Sequence, residues 1–434
     1  MEYLEKFVAG ANAIIWSDFL IFFLMAVGTY FSIRMRFFQV RMVGEMVRLL
    51  FGGKKSSEGI SSYQALAVSL SGRVGTGNIA GVATAIFLGG PGAVFWMWLV
   101  AFLGASSAFI ESTLAQIYKR SEQGQYRGGP AFYIEKGFRN KKAGKIYAIV
   151  FACATIVATG LLLPSVQSNS IAAAVNNAFG IDHTWIAAGL VVMLGLIIFG
   201  GIKTIARVAE YVVPFMAVGY VLIAIAVAIM NYEQLPSVFG LIFSSAFGLN
   251  ATFAGLIGST ISMGVKRGVF SNEAGQGTGP HPAAAAEVSH PASQGLVQAF
   301  SVYIDTLFVC SATAFIILST GMYNVKGTAD DLIINNGVYY LQDGVKHFDG
   351  SAIYTQAAVD KAFSGRDQFD PTYTGVGSFT VAIALFFFAF TTLMAYYYIA
   401  ETNVAYLTRK GGGRLMMLIL KVCILASVFV GCVK

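Results

Sequence analysis

The chain carries one short glycine-rich pattern twice, each time inside an otherwise apolar stretch. Residues 73–81 read RVGTGNIAG and residues 267–275 read RGVFSNEAG. Glycine loses more entropy on ordering than any other residue, and at membrane depth freed backbone groups are tolerated only where they line a cavity. The pattern therefore predicts two interrupted membrane helices. The two copies share Arg73 with Arg267, Asn78 with Asn272, Ala80 with Ala274 and Gly81 with Gly275.

An interrupted helix presents two kinds of unpaired backbone group. Its first half ends in free carbonyls with partial negative charge, and its second half begins with free N–H groups with partial positive charge. A zwitterionic ligand needs both. The candidate donors for its carboxylate are the N–H groups around Gly75, Thr76, Gly77 and Asn78. The candidate acceptors for its ammonium group are the carbonyls near Val269, Phe270 and Ser271, beside Asn272.

A further polar residue, Gln167, lies in an apolar span that Pro164 interrupts. Proline has no N–H group and so frees a carbonyl one turn earlier in the helix. Gln167 is therefore a candidate pocket residue. The alternative is that its amide joins neighbouring helices, as polar side chains in membranes often do.

The composition is that of a membrane protein. Hydrophobic residues make up 56% of the chain and charged residues 12%, against roughly 25% charged in soluble domains. This balance excludes an ordinary cytosolic enzyme. The net charge of +7 comes from basic residues that collect in alternate loops, as the positive-inside rule requires, so no nucleic-acid partner is predicted. The four cysteines show no CxxC spacing, which excludes a disulfide framework or a zinc site.

Apolar runs near the length that a bilayer requires predict ten membrane spans. The spans are 12–33, 61–88, 91–118, 146–178, 184–201, 205–231, 245–290, 293–321, 375–402 and 414–433.

The distribution of charge predicts the orientation of these spans. The loops 34–60 and 119–145 are strongly basic and are therefore expected in the cytoplasm, with the N-terminus outside. The acidic stretch 322–374, with Asp343 near its centre, is then expected outside as a loop or lid. The sequence predicts a multi-pass protein of the cell membrane, embedded in the lipid bilayer.

The spans also predict an internal repeat. Residues 1–60 supply an accessory helix and a basic loop, residues 61–231 a first five-helix unit, and residues 245–434 a second unit that includes the loop 322–374. Each unit opens with an interrupted helix, and the two opening helices cross in opposite directions. The prediction is an all-α membrane fold with a five-plus-five inverted repeat, in which both interrupted helices meet near the bilayer centre.

The two motifs also carry a family resemblance. SGRVGTGNIAG (71–81) and RGVFSNEAGQGTGPH (267–281) resemble the signature segments of the alanine or glycine to cation symporters, the sodium:alanine symporter family. That family is similar to the leucine-transporter fold. The resemblance implies sodium-driven uptake of small neutral amino acids, with alanine and glycine as substrates. It also implies eleven helices, so the last helix of the second repeat is expected to be absent from this sequence.

Sodium is a hard cation that prefers oxygen ligands. In the fold that the chain resembles, a hydroxyl pair on the eighth core helix and carbonyls of the first interrupted helix form one sodium site, and the FTT sequence at 390–392 matches that hydroxyl position. Hydroxyls in membrane helices also commonly bond back to their own backbone, which is the alternative interpretation here. The predicted sodium ligands are Ser71, Val74, Asn78, Thr391 and Thr392.

Intramembrane charges leave the choice of coupling ion open. Ionisable residues at this depth are costly, and Glu111, Glu273 or Asp305 could titrate in a proton-coupled amino acid transporter. The simpler role for Glu111 and Asp305 is to pair with other charges and hold the helices together. Arg73 and Arg267 flank the interruptions, and we expect them to form ion pairs in an inner and an outer gate.

Other classes of protein fit the sequence less well. A channel would need a ring of liganding groups, and a membrane hydrolase would need a nucleophile and base at sensible spacing. The sequence shows neither, so we predict a symporter without enzymatic activity, organic cofactor or obligatory protein partner.

Overall fold

The computed structural model describes residues 6, 10, 15–51, 59–122, 124–328, 331–342, 345–348, 350–366, 368–370, 373–409 and 411–434. Part of the first basic loop and Asp343 of the acidic stretch lie outside these residues. The helices are α1 Asp18–Arg34, α2 Phe38–Arg41, α3 Val43–Phe51, α4 Ser62–Arg73, α5 Val82–Gly89, α6 Ala93–Ile117, α7 Pro130–Gly137, α8 Lys141–Val157, α9 Leu163–Phe179, α10 His183–Ile198, α11 Gly201–Met230, α12 Leu235–Ala246, α13 Ile257–Asn272, α14 Pro280–Ala285, α15 Pro291–Tyr303, α16 Ser311–Thr320, α17 Ala352–Ser364, α18 Val376–Leu407 and α19 Gly413–Val433.

Shorter elements connect these helices. π-helical segments link α4 to α5, α8 to α9 and α15 to α16, and they span Gly77–Gly81, Ala158–Leu162 and Ile304–Cys310. Two 3₁₀ turns cover Tyr232–Gln234 and Ala254–Leu256. The strands form three antiparallel hairpins: β1 Arg120–Glu122 with β2 Gln125–Arg127, β3 Asn324–Lys326 with β4 Leu332–Asn335, and β5 Tyr340–Gln342 with β6 Val345–His347.

Each of the ten predicted spans contains helix. Among the described residues, six helical stretches are long and apolar enough to cross a membrane, and three further apolar helices are shorter. The other four spans fall short: the first and fifth contain the shorter helices Phe19–Arg34 and His183–Ile198, and the second and seventh contain the glycine-rich pattern. The span predicted at 245–290 begins only at Ile257, because α12 ends at Ala246 and a turn follows. The six long stretches are Ala93–Ile117, Lys141–Phe179, Gly201–Met230, Pro291–Thr320, Val376–Leu407 and Gly413–Val433.

The acidic stretch 322–374 contains more structure than a plain loop. It contains two hairpins and the thirteen-residue helix α17, which Ser351 caps by accepting a hydrogen bond from the Ile353 N–H. One face of α17 is buried against α18, and Gln356 donates a hydrogen bond to the Ser378 carbonyl at 3.2 Å. Hydrophobic periodicity alone did not reveal this helix because its sequence, AIYTQAAVDKAFS, mixes polar and apolar residues.

Small residues set the spacing of the central helices. A Cβ atom on Gly295 of α15 would lie 2.9 Å from the Phe109 carbonyl oxygen of α6, and one on Gly268 of α13 would lie 3.2 Å from Met97 Cα of the same helix. Helices in membranes approach this closely only where small residues allow it. Helix α6 therefore forms a support against which both α13 and α15 pack, and α13 is one half of an interrupted helix.

Candidate binding site

The two interruptions meet each other. A Cβ atom on Gly77, in the first interruption, would lie 3.2 Å from Ser271 Cα and 3.4 Å from Phe270 Cδ1, in the last turn of α13. All three residues come from the repeated pattern. Gly77 and Ser271 are buried, and Phe270 is partly exposed. The pattern thus brings two helix ends of opposite polarity into contact.

The first interruption begins at Val74, where the backbone leaves helical geometry with φ −79° and ψ 89°. Gly75 N–H donates to Asn78 Oδ1 at 2.9 Å, and Thr76 N–H donates to Gln167 Oε1 at 3.2 Å. Two of the predicted carboxylate donors therefore point at side-chain oxygen atoms. Gln167, which is also buried, lies against the interruption.

The second interruption starts later than the carbonyls that the sequence indicated. Helix α13 continues through Asn272, and the chain turns at Glu273, whose φ is 54°. Val269, Phe270 and Ser271 therefore lie in the last helical turn. The Val269 carbonyl accepts hydrogen bonds from Glu273 N–H and from Gln276 Nε2. Among the described residues, no group beyond the end of α13 donates a hydrogen bond to the carbonyls of Phe270 and Ser271, which leaves them available to a cation.

Asn272 holds the end of α13. Its Oδ1 accepts a hydrogen bond from Ala274 N–H at 3.0 Å, and its Nδ2 donates to Thr306 Oγ1 at 3.2 Å. Both halves of its amide are engaged with protein groups. Its position in the repeated pattern predicted a contact with the ligand, whereas its contacts in the structure are those of a helix cap.

The predicted cation ligands do not all come together. Thr392 Oγ1 lies 2.8 Å from the Ser71 carbonyl oxygen and 3.5 Å from that of Val74, and also 2.9 Å from the Phe388 carbonyl of its own helix. A Cβ atom on Gly75 would lie only 2.6 Å from this hydroxyl, so a glycine is required there. The three oxygen atoms of Ser71, Val74 and Thr392 suit a hard cation.

Thr391 and Asn78 have other contacts. Thr391 Oγ1 lies 3.0 Å from the Phe388 carbonyl and 3.6 Å from Met216 Sδ, which is the back-bonding alternative. Asn78 Nδ2 donates to Asp305 Oδ1 at 2.6 Å, while its Oδ1 accepts from Gly75. The structure therefore groups Thr392, without Thr391, with the carbonyls of the first interrupted helix.

Asp305 is the main site residue that sequence reasoning undervalued. Its carboxylate is fully buried and accepts hydrogen bonds from Asn78, from Ser271 Oγ at 2.9 Å and from Thr306 Oγ1 at 2.7 Å. Two of these donors come from the interruptions, Asn78 from the first and Ser271 from the second. Among the described residues, no cation lies within 4 Å of it. The available signal was a lone acid in an apolar span; the sequence could not show that this span contains a π-helical segment that reaches the site.

The expected ion pairs of Arg73 and Arg267 are not formed among the described residues. Arg73 is buried, and its Nη1 donates to the Gln298 carbonyl at 2.9 Å and to Ser301 Oγ, both on α15. Within the described part of the chain, neither arginine forms an ion pair within 4 Å. Arg73 therefore joins the first interrupted helix to α15 through neutral acceptors.

Glu111 and Glu273 bind the loop of the second interruption. The Glu111 carboxylate accepts hydrogen bonds from the N–H groups of Gly275 and Gly277, each at 3.2 Å. Glu273 accepts one from Thr278 Oγ1 at 2.7 Å. Positive φ values of 82° at Gly275 and 81° at Gly277 explain why glycine occurs at both positions. The predicted structural role of Glu111 is consistent with these bonds, although its partners are backbone groups.

Ion pairs do occur nearer the predicted cytoplasmic side. Arg127 of β2 pairs with Glu401 of α18 at 3.0 Å, and Arg409, just after α18, pairs with Glu135 of α7 at 2.9 Å. These side chains are between 12% and 25% exposed. Both pairs join the connection between α6 and α8 to the end of α18.

Two interrupted helices that meet between membrane-spanning helices, with donors for a carboxylate and oxygen atoms for a cation, define a secondary transporter. The chain belongs to the sodium:alanine symporter family, whose family model matches residues 1–434. It is a multi-pass membrane transporter and not an enzyme.

Individual proteins support this assignment. The chain is 58% identical over 431 residues to the putative sodium/proton-dependent alanine carrier protein YrbD of Bacillus subtilis (99% of this chain, 84% of the relative). It is 41% identical to the probable sodium/glutamine symporter GlnT of the same organism (100% and 83%). Its fold is similar to that of MhsT, solved in complex with L-phenylalanine, with a TM-score of 0.57, 14% identity, and coverage of 88% and 81%. That similarity shows the leucine-transporter fold.

Proposed function

We propose that this chain couples the entry of sodium to the uptake of small neutral amino acids, with alanine and glycine as its substrates. The observation that carries the proposal is the contact between Gly77 and the last turn of α13, beside the Thr392 hydroxyl that reaches the Ser71 carbonyl. One short piece of backbone, 74–77, thus contributes to both the substrate site and the cation site.

The backbone polarity on the two sides of this contact suits an amino acid. The substrate carboxylate takes the N–H groups of Gly75, Thr76 and Gly77, replacing Gln167 Oε1 at Thr76. The ammonium group lies towards the carbonyls of Phe270 and Ser271, on the side of the negative charge of Asp305. The approach of Gly77 to Phe270, with 3.4 Å between a Cβ atom added to the glycine and the ring, leaves little volume for a side chain. Alanine and glycine fit, and glutamine is too long.

The sodium ion binds between the first interrupted helix and α18. Its ligands are the carbonyls of Ser71 and Val74 and the hydroxyl of Thr392, with Asn78 and Thr391 as the weaker candidates because of their other contacts. Binding there fixes Val74, which is bonded directly to Gly75. The ion thereby orders the N–H groups that receive the carboxylate, and the two ligands bind cooperatively.

Transport proceeds by alternating access between two sides. A cavity of about 520 Å³ reaches Ala80 of the first interruption, and its lining includes Asn177 of α9 and Gln356 of α17. It opens on the predicted outer side. On the opposite side, the Arg127–Glu401 and Arg409–Glu135 pairs form the inner gate. The inverted repeat, the accessory role of α1 and an outside N-terminus are parts of the same proposal.

Proton coupling is the second candidate, and Asp305 is the observation that favours it. A buried carboxylate that contacts both interruptions through Asn78 and Ser271 could bind a proton in place of an ion. The relative YrbD is itself described as sodium/proton-dependent. Sodium coupling is preferred because the carbonyl and hydroxyl oxygens around Thr392 suit a metal ion and offer no titratable group.

The test is uptake of labelled alanine into proteoliposomes with sodium and proton gradients imposed separately. We expect a sodium gradient alone to drive accumulation, and glycine, but not leucine or glutamine, to compete. Accumulation driven only by a proton gradient would contradict sodium coupling and support proton coupling, the second candidate. Downhill equilibration indifferent to both gradients would contradict symport altogether.

A further inference from the structure

A large basic cavity lies away from the interrupted helices, at the predicted cytoplasmic end of α18 and α19. Its volume is about 1070 Å³. The described residues that line it include five basic side chains and only two acidic ones, Glu122 and Glu401. The basic residues are Arg120, Arg127, Arg409, Arg414 and Lys421.

Protein groups neutralise only part of this charge. Arg127 pairs with Glu401, and Arg409 pairs with Glu135. Within the described part of the chain, no acidic oxygen lies within 4 Å of Arg120, Arg414 or Lys421. Among the described residues, Arg127 Nη1 and Arg409 Nη2 have no hydrogen-bond partner, but both atoms are buried, so the charge open to a ligand is that of Arg120, Arg414 and Lys421. The cavity therefore offers several N–H groups and a net positive charge to an anion.

One wall of the cavity is apolar and faces outwards. Phe199, at the end of α10, is 59% exposed, and Leu418 of α19 is 51% exposed. Both helices carry large apolar side chains on the same outer surfaces, for example Leu196 and Val422, as expected of faces in contact with lipid chains. The cavity thus joins a basic interior to a hydrocarbon-facing rim.

Lys421 shows how far the positive charge extends into the apolar region. It lies two turns inside α19, about 12 Å along the axis from Gly413 at a rise of 1.5 Å per residue. Its Nζ lies 4.4 Å from the centre of the Phe199 ring. A cation at this depth with an aromatic ring as neighbour is suited to a ligand that is anionic at one end and apolar at the other.

We propose that this cavity binds the phosphate head group of an anionic phospholipid whose acyl chains lie along α10 and α19. Basic pockets between membrane helices on the cytoplasmic side are suited to such head groups. Free inorganic phosphate shares the head group's negative charge but has no apolar part to contact the wall formed by Phe199 and Leu418. A phospholipid matches both parts of the cavity.

The test is a titration of phosphatidylglycerol against the purified full chain in uncharged detergent, followed by native mass spectrometry. The double variant Arg414→Gln with Lys421→Gln should bind the lipid roughly 25-fold more weakly, since each basic residue near a membrane surface contributes roughly fivefold. The control Arg139→Gln with Lys145→Gln removes the same charge from exposed positions outside the cavity. It should change lipid affinity by less than about twofold, because attraction by solvent-exposed charges away from the head group is screened within a Debye length.

Two further arms separate the possible outcomes. Phosphatidylcholine and inorganic phosphate should not compete; equal binding of either would overturn the proposal, as would equal weakening in both double variants. If the cavity variant does not fold, phosphatidylglycerol with a photoactivatable group on its head group, added to the wild-type chain, decides instead. Cross-links within 120–127 or 411–421 support the site, and cross-links confined to other segments contradict it.

Discussion

Thr392 and Thr391 form a natural pair of test and control, because adjacent hydroxyls of one helix make different contacts. Thr392 reaches the Ser71 carbonyl of the first interrupted helix, whereas Thr391 contacts Phe388 and Met216. Both are fully buried. Replacing either by valine keeps the side-chain shape and removes one hydroxyl oxygen. If the cation lies between α18 and the first interruption, only Thr392→Val removes one of its ligands.

The expected effect is large enough to measure. A hydrogen bond or ligand contact to a charged group contributes about 1.5 to 3 kcal/mol, so sodium affinity should fall roughly 10- to 150-fold in Thr392→Val. Coupling between two ligands is typically about 1 to 3 kcal/mol, or roughly 5- to 150-fold in affinity. Alanine should therefore bind wild-type protein that much more tightly in sodium than in choline. In Thr392→Val at the same salt concentration, this ratio should fall towards one.

Calorimetry of alanine binding, in sodium chloride and in choline chloride at equal ionic strength, measures the ratio directly. Thr391→Val should keep the wild-type ratio. Each variant loses one buried hydroxyl, so similar melting temperatures would show that the difference lies in binding and not in folding. Thr392→Val with an unchanged ratio, or an equal loss in Thr391→Val, would refute the placement of the cation.

Three other predictions concern the pocket, the coupling ion and the orientation. Gly77→Ala places a methyl group 3.2 Å from Ser271 Cα and should weaken alanine binding at least tenfold, about 1.4 kcal/mol. In the control Gly81→Ala the nearest atom is 3.9 Å from the added methyl group, so alanine binding should be retained. Equal alanine affinities of the two variants would show that Gly77 is not part of the site. Asp305→Asn keeps the shape of a side chain that accepts three hydrogen bonds but removes its charge. Under sodium coupling, uptake by the variant should weaken yet remain driven by a sodium gradient. Proton coupling would be favoured if wild-type uptake responded to a proton gradient alone and the variant exchanged alanine without responding to either gradient. Single cysteines at Lys142 and Lys346, in a cysteine-free background, should react with an impermeant thiol reagent from the cytoplasmic and the outer side respectively, and reaction of both from one side would contradict the repeat.

The sequence predicted the interruptions well because their physical cause is local. Glycine, serine and threonine in the two copies of the pattern determine where a helix fails, and Val74 and Glu273 are where the backbone departs from helix. A meeting of the two interruptions was expected from the predicted repeat, and Gly77 does lie against Ser271, although the repeat itself stays a prediction. The exact end of α13 did not follow, because Asn272 caps it by contacts with Ala274 and Thr306 that depend on the folded arrangement.

Side-chain partners were the part that sequence could not supply. The acceptors of Arg73, the Gln298 carbonyl and Ser301 Oγ, come from a helix more than 200 positions away in the chain. A neutral acceptor leaves no charge signal in the sequence, so an ion pair was expected instead. Asp305 was undervalued for a related reason, since its donors Asn78 and Ser271 lie on two separate helices.

The hydrogen bonds of Arg73 and Glu111 attach the two interrupted helices more strongly to some of their neighbouring helices than to others. Arg73 joins the first interrupted helix to α15, and Glu111 joins the second to α6; each uses a charged group, and charge-assisted hydrogen bonds are roughly twice as strong as neutral ones. Towards α9 and α18, the side-chain hydrogen bonds of the first interruption among the described residues are the neutral ones of Gln167 and Thr392. We therefore expect the helices to move relative to one another along a surface that passes through the candidate binding site itself. A ligand bound there would contact the helices on both sides of this surface. Its binding energy would therefore act directly on their relative movement, and no distant residues would be needed to transmit it.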